Sequence, residues 1–222
     1  MQNENTILRR FERIANLIDD DFVTTPTKLF YLNQAKREVI AFYITRELEF
    51  LRDRGHVGSL RILDKLRKTK HESDITPDQY KTTGVFRSLI DLPGDMDRQL
   101  AVHINGLTPA VELTPSRRYE LLHRMNRIGE YQSAFEFLDL AGQTRKMILY
   151  VSADSAFDVE INYIRKPTEI TEHTETLVDI PDYLQTAVYI GAGWLLSVQD
   201  RDRTINDFTR DRFFYELNSK MF

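Results

Sequence analysis

Residues 157–165, Phe-Asp-Val-Glu-Ile-Asn-Tyr-Ile-Arg, are the stretch of the chain that decides the class of fold. Within it, the apolar residues Val159, Ile161 and Tyr163 alternate with polar or charged residues. A period of two is typical of a strand with one face in a core. Turn-forming residues precede the stretch and Pro167 follows it. We therefore expect a strand that closes a β-rich segment.

Four more segments in the middle of the chain are predicted to be strands, because each is rich in apolar residues and the segments are separated by turn-forming residues. They are Val85–Leu92, Ala101–Asn105, Ala134–Leu140 and Lys146–Ser152. Between the second and third, Thr114-Pro115-Ser116 begins a short helix that ends near Gly129. Short antiparallel strands at close spacing favour a small sandwich or barrel.

Helices are predicted ahead of this β-rich segment. An apolar stripe indicates a first helix from about Thr6 to Asp20. Thr25-Pro26, a hydroxyl cap followed by proline at the first helical position, starts a long helix that runs to about Arg54. Apolar residues also lie off its main stripe, so we expect burial on more than one side. These residues are Phe30, Tyr31, Ile40, Tyr43 and Ile44.

Helical patterns return near the end of the chain. Ile180-Pro181-Asp182 begins a helix whose apolar stripe continues to Val198. Gly191 and Gly193 inside this helix are tolerated if another backbone packs close. A last apolar segment runs from Ile205 to Phe222.

The sequence therefore predicts an α+β fold. N- and C-terminal helices form a helical domain, into which an antiparallel lobe resembling a β-sandwich or barrel is inserted. The expected parts are 1–78 for the N-terminal helices, 79–167 for the β-rich insertion and 168–222 for the C-terminal helices, which pack back on the N-terminal part.

The sequence carries no recognisable motif for catalysis. It has no cysteine, which excludes disulfides, thiolate metal sites and cysteine nucleophiles. Five histidines are scattered without a partner at metal-ligand spacing, and no phosphate-binding, dinucleotide or nucleophile-elbow pattern is present. Asp95-Met96-Asp97 lacks the full calcium-loop pattern and is interpreted as a solvated turn. We predict that the protein is not an enzyme and has no catalytic, cofactor-binding or metal site.

Charge and hydropathy exclude further classes of protein. The net charge of −4 does not favour a general nucleic-acid binder. The polar N-terminus is unlike a signal peptide, and no apolar run is long enough to span a bilayer. We therefore expect a soluble protein without a membrane partner.

A basic stretch, residues 52–70, stands out within this acidic chain. It is predicted to include a short amphipathic helix and to end in a polar turn at Glu72-Ser73-Asp74. Three interpretations are open: a solvated helix face, a seam with an acidic neighbour, or a wall near nucleic-acid phosphates. The residues concerned are Arg61, Lys65, Arg67 and Lys68.

The aromatic tail, residues 208–222, holds more large apolar side chains than one edge of a helix needs. Either it folds back onto its own domain, or it docks into another subunit through aromatic anchors. The candidate docking residues are Phe208, Phe213, Phe214, Tyr215, Leu217 and Phe222.

Two phrases of the C-terminal third resemble the head-to-tail connector proteins of tailed bacteriophages. They are Asp158-Val-Glu-Ile-Asn-Tyr-Ile-Arg-Lys-Pro167 and Leu177-Val-Asp-Ile-Pro-Asp-Tyr183, followed by the helix through Trp194. The family includes adaptor, neck-ring and gatekeeper proteins and the tail tubular proteins of short-tailed phages, and a ring protein of crAss-like phages is one expected form. Its pattern is a strand ending in aromatic-x-Arg-x-Pro, an acidic loop containing proline, and a long helix containing Ala and Gly.

Other parts of the chain fit this family more loosely. Lys146-Met-Ile-Leu-Tyr150 fits just before the strand, and Leu32-Asn33-Gln34-Ala35 resembles part of the early helix of the family. The phrases lie between about residues 134 and 200, whereas Arg52–Lys70 has no counterpart in the family pattern.

The resemblance implies a structural virion protein that forms a homo-oligomeric ring, typically a dodecamer, beneath the portal protein of the capsid. Its other partners would be tail or neck proteins, with genomic DNA passing non-specifically through the central channel. It would be assembled in the host cytoplasm, and its C-terminal segment would reach the portal. The alternative is a cytoplasmic nucleic-acid-binding or regulatory module that uses the basic stretch, residues 52–70.

Overall fold

The structure of the protein is a computed structural model. It describes residues 6–15, 23–54, 61–79, 85–106, 109–114, 133–138, 145–152, 154–199 and 203–219. The chain divides into a helical unit, Met1–Leu66 with Pro167–Phe222, and a β unit, Arg67–Lys166. These divisions fall after residues 66 and 166, whereas the sequence pattern placed them after residues 78 and 167.

The helical unit is built from both ends of the chain, as predicted. Its helices are α1 (Ile7–Ile14), α2 (Thr25–Arg54), α3 (Arg61–Leu66), α4 (Gln185–Gln199) and α5 (Arg203–Ser219), with a 3-10 turn, Asp182–Leu184, ahead of α4. Thr6 caps α1, since its hydroxyl accepts a hydrogen bond from the backbone N–H of Arg9 at 3.4 Å. The predicted end of this helix at Asp20 lies outside the described residues.

Helix α2 ends where predicted, but its cap lies one residue earlier than predicted, at Thr24 instead of Thr25. The Lys28 amide donates to the Thr24 carbonyl at 3.0 Å, so Thr24 caps the helix and Pro26 occupies its second position. Both arrangements keep proline in the first turn, where its missing N–H leaves no helical bond unmade.

The apolar side chains of α2 that the structure describes as buried form one broad stripe. Ile40, Tyr43 and Ile44, which seemed to lie off the stripe, are all buried within this unit and widen it. They follow Leu32 and Val39 at helical spacing, so they pack on the same side, against α4. Of the apolar residues expected off the stripe, Phe30 is the exposed one, with 63% of its surface open to solvent.

Gly191 of α4 is required by close packing, although a ring rather than a backbone approaches it. A Cβ atom at this position would lie 2.6 Å from Cε2 of Phe213 in α5. Gly193 has open space around it and has no such contact.

The β unit consists of two sheets. Its strands are β1 (Arg67–Ile75), β2 (Asp78–Gln79), β3 (Phe86–Asp91), β4 (Met96–Ile104), β5 (Val111–Glu112), β6 (Ser133–Leu138), β7 (Lys146–Val151) and β8 (Phe157–Arg165). The three-stranded sheet has the order β1-β8-β4, and the five-stranded sheet has the order β2-β3-β7-β6-β5. The pairs are antiparallel except β5 with β6, which is parallel.

One core joins the two sheets. Val159 and Ile161 of β8, from the three-stranded sheet, share this core with Phe135, Met147 and Leu149 of the five-stranded sheet. The alternation along β8 therefore did identify its buried face. The predicted α+β fold with a sandwich-like lobe is confirmed.

The strand predictions were accurate within one or two residues for β3, β6, β7 and β8, whereas Ala101–Asn105 is the second half of the longer β4. The helix predicted from Thr114 to Gly129 lies almost wholly in residues 115–132, outside the described residues.

The short helix predicted within the basic stretch is present as α3, whereas the polar turn expected at residues 72–74 was wrong. Helix α3 ends at Leu66, and the chain passes directly into β1, which continues through the expected turn at 72–74 to Ile75. Strand β1 is the edge of its sheet and is largely exposed on both faces, so its sequence has no apolar alternation to reveal it. Its pairing with β8 is what moves the start of the β unit to Arg67.

Candidate functional site

The aromatic tail folds back onto its own unit along one side. Phe213 and Leu217 are each only 2% exposed. The Phe213 ring stacks on Trp194 of α4 at a centroid distance of 5.6 Å, and the carbonyl of Leu217 accepts a hydrogen bond from the Tyr43 hydroxyl at 2.6 Å. Phe213 and Leu217 therefore belong to the core, and their assignment as docking residues was wrong.

The other side of α5 presents aromatic side chains to solvent. Phe214 is 43% exposed and Tyr215 is 69% exposed. The Phe214 ring lies 5.5 Å from Phe213 and 6.0 Å from Trp194, centroid to centroid, so it packs against both rings. We call Phe214 and Tyr215 the exposed aromatic pair.

The remaining two candidate docking residues lie outside what the structure describes. Phe208 falls on α5, but its side chain is not among the described ones, and Phe222 follows the last described residue.

Tyr43 holds the tail through a hydroxyl that stays protonated. Burial is the main cause that raises the pKa of Tyr43 to about 12, and electrostatic interactions with Tyr183, Glu216 and Glu47 add to it. It therefore remains a hydrogen-bond donor to Leu217 throughout the physiological pH range. Nothing in the sequence pattern distinguishes this hydrogen-bonding tyrosine, because Tyr43 resembles the other apolar residues of α2.

A buried ion pair fixes the loop that carries the connector-like phrase. Lys36 Nζ of α2 lies 2.5 Å from Asp179 Oδ2, and the two side chains are 3% and 0% exposed. Lys36 also donates to the Thr168 carbonyl at 2.6 Å, while Asp179 accepts from the Thr168 amide at 2.8 Å. Such a network satisfies both charges, as burial requires.

Asn33 provides a second anchor for the same loop. Its side-chain amide donates to the Ile170 carbonyl at 3.0 Å, and its oxygen accepts from the Ile170 amide at 2.7 Å. We call residues 167–181 the strap, since they connect β8 to the turn before α4 and are bonded to α2. The signal that could have found these anchors is Lys36 itself, a charge on the apolar stripe four residues after Leu32.

The basic candidates do not share one helix face. Lys65 lies exposed on α3, with Nζ 3.5 Å from the Val178 carbonyl, and the side chain of Arg61 is outside the described ones. Arg67 and Lys68 begin β1 in the other unit, and both are exposed. The division of the chain thus separates the four residues into two pairs.

Lys68 has an intramolecular partner. Its Nζ lies 2.7 Å from Asp95 Oδ2, and Asp95 Oδ1 also accepts from the Tyr163 hydroxyl at 3.0 Å. The hydrogen bond from Lys68 is the main reason that the pKa of Asp95 lies below its usual value. Asp95 is engaged with a cation of the chain. The solvated turn expected at residues 95–97 is confined to Asp95, because β4 begins at Met96, whose side chain is buried.

Two histidines flank a carboxylate on the three-stranded sheet. The strand register places His71 and His103 on either side of Glu160, with His71 Nδ1 4.0 Å from Glu160 Oε2. Among the described residues, no group of three or more His, Cys, Asp or Glu has the geometry to hold a metal ion. Within that same part of the chain, none of the helices combines the length and apolarity that crossing a membrane would require.

The chain matches no protein-family model and no curated protein.

Proposed function

We propose that the protein is a structural subunit of a virion ring, placed between the portal protein of a tailed bacteriophage and its tail, around the DNA channel. The observation that carries this proposal is the strap. It joins the connector-like strand β8 to helix α4, and it is anchored by Asn33 and Lys36 of α2. The second phrase, Leu177–Tyr183, thus belongs to a segment of the helical unit that is fixed to α2, and the first phrase leads into that segment from β8 of the β unit.

The exposed aromatic pair supports assembly with a second protein. Phe214 and Tyr215 are large, partly rigid side chains supported by Phe213 and Trp194. Aromatic residues of this kind are the usual anchors of protein interfaces. We infer that this side of α5 docks against the portal or a neighbouring subunit, which limits the docking residues of the described tail to the exposed aromatic pair.

The net charge of −4 favours a channel wall with low affinity for DNA over a protein that binds DNA tightly, because tight binding needs cations that neutralise the phosphates. The pairing of Lys68 with Asp95 reduces the positive charge available to a phosphate. These observations favour the ring over the nucleic-acid-binding alternative.

The test is co-assembly of the full chain with its portal protein, measured by native mass spectrometry and by cross-linking in purified virions. Replacing both Phe214 and Tyr215 with Ser should weaken co-assembly at least about tenfold, because interface anchors contribute ~2 kcal/mol or more. Phe30→Ser is the matched control, an exposed aromatic on α2 whose loss should leave co-assembly unchanged.

Absence of the chain from virions would contradict the proposal. So would tight, salt-sensitive DNA binding by a monomer, weakened when Arg61, Lys65, Arg67 and Lys68 are replaced with Glu. That second result would establish the alternative module in its place.

A further inference from the structure

The three-stranded sheet carries its positive and negative side chains at opposite ends. Strand β8 is antiparallel to both β1 and β4, so its last residues lie beside their first ones: Ile164 pairs with Arg67, and Arg165 pairs with Met96. We call this the basic end. It holds Arg67, Lys68, Arg98, Arg165 and Lys166, together with Asp95 and Asp97.

The other end of the same sheet has the opposite charge. Here the first residues of β8 lie beside the last ones of β1 and β4. We call this the acidic end. It holds Glu72, Asp74, Asp158 and Glu160, with His71 and His103. Lys70 lies between the two ends and forms an ion pair with Glu72.

The two ends are too far apart to neutralise each other within one chain. Arg67 and Asp74 are seven residues apart on β1, which at ~3.3 Å per residue is roughly 23 Å. Charges in 0.15 M salt are screened over about 8 Å. Each end therefore presents its charge to the surroundings rather than to the other end.

Side chains at both ends reach solvent. Arg67, Lys68, Arg98 and Lys166 are exposed at the basic end, as are Asp74 and Asp158 at the acidic end. Even Lys68, which is paired with Asp95, keeps half of its side-chain surface open.

The acidic end also contains a concavity of about 320 Å³. Glu72, Asp158 and Glu160 are among the residues that line it, beside the loop at Asn105 and Gly106. No lysine or arginine lines it. Its size and charge suit an incoming guanidinium or ammonium group, which carboxylates bind in short, charge-assisted hydrogen bonds.

We propose that the basic end of one copy docks on the acidic end of the next copy. The two surfaces differ, so the contact is heterologous and repeats from copy to copy, and such a contact closes into a ring when its rotation permits. The inference rests on the proposed ring and names the surface that would build it. A nucleic acid would engage only the basic end and be repelled by the other, whereas a second copy satisfies both.

The test uses two charge-reversal variants of the full chain. Arg98→Glu with Lys166→Glu makes both ends negative, and Glu72→Lys with Asp158→Lys and Glu160→Lys makes both ends positive. Each variant alone should self-associate at least about tenfold more weakly than wild type, because like charges then face each other. Mixed together they should regain association, since every contact again joins opposite charges.

Sedimentation velocity at 20 and 150 mM salt, with native mass spectrometry, measures these species. Wild-type association should weaken at the higher salt concentration. Arg87→Glu, which reverses an exposed cation of β3 in the other sheet, is the matched control and should behave as wild type. Circular dichroism establishes that each variant is folded.

Rings that persist in either variant alone would overturn this inference and leave the proposed ring standing. Variants that fail to rescue each other although folded would overturn it too, as would a wild-type chain that remains monomeric at both salt concentrations. Loss of DNA binding by the Arg98 and Lys166 variant, with its oligomers intact, would assign the basic end to nucleic acid instead. The proposed function fails separately, through absence of the chain from virions.

Discussion

Two lysine–aspartate pairs among the described residues have similar lengths and opposite surroundings. Lys36 and Asp179 meet at 2.5 Å in the helical unit and are almost completely buried. Lys68 and Asp95 meet at 2.7 Å at the basic end of the β unit, where the side chains are 50% and 42% exposed. Water screens the second pair and not the first, so the same chemistry fixes a loop in one place and leaves a charged surface in the other.

The largest effect is expected from breaking the buried pair. Asp179→Ala leaves the Lys36 charge and the Thr168 amide without the carboxylate, and it should lower the free energy of unfolding by about 3–5 kcal/mol. Urea denaturation followed by circular dichroism measures this loss.

The control for that experiment replaces both charges. Lys36→Met combined with Asp179→Leu removes the pair without leaving an uncompensated charge, and should recover more than half of the lost stability. A double variant as unstable as Asp179→Ala alone would show that the strap is held by something other than the charge balance at this pair.

The same contrast between buried and exposed surroundings explains which strands the sequence could predict. Strand β8 lies in the middle of its sheet, so Val159 and Ile161 alternate visibly with polar residues and reveal both the strand and its core face. Strand β1 lies at the edge of its sheet and carries charges on both faces, as edge strands often do. Its sequence therefore shows no alternation of apolar and polar residues. Sequence alone cannot tell a helix end from an edge strand when neither carries an apolar pattern.

The candidate site was predictable in part for a related reason. Phe213 and Phe214 are adjacent, and neighbouring residues of a helix point in directions about 100° apart. Which of them becomes buried depends on the shape of the α4 surface. Gly191 has no side chain, and the Phe213 ring packs into the space that a side chain there would fill. The sequence therefore identified an aromatic tail but not its exposed side.

An intermediate effect is expected at the hydrogen bond that holds the tail. Tyr43→Phe removes the hydroxyl that donates to the Leu217 carbonyl and should cost about 1–2 kcal/mol. Because the pKa of Tyr43 is raised from 10.0 to about 12, the folded state favours the neutral form. Its contribution is present below pH 10 and is lost as the pH rises towards 12.

Thermal unfolding between pH 8 and 12 tests this expectation. The alkaline loss of stability should be smaller in Tyr43→Phe than in wild type, though still present, since burial also raises the pKa of Tyr163 and Tyr189. An unchanged alkaline profile would mean that Tyr43 does not couple the tail to α2.

The smallest effect is expected at the exposed pair. Asp95→Asn should lower the free energy of unfolding by less than about 1 kcal/mol, because solvent screens half-exposed ion pairs. The pKa of Asp95 is depressed in the folded protein, so its contribution is present above the ordinary carboxylate pKa and is lost as the pH falls through the folded value. Wild type should therefore lose a small increment of stability below about pH 4 that Asp95→Asn lacks. A loss as large as that of Asp179→Ala would mean that Lys68 and Asp95 form a structural ion pair rather than an exposed charged surface. The docking proposed between the basic end of one copy and the acidic end of the next depends on that exposure.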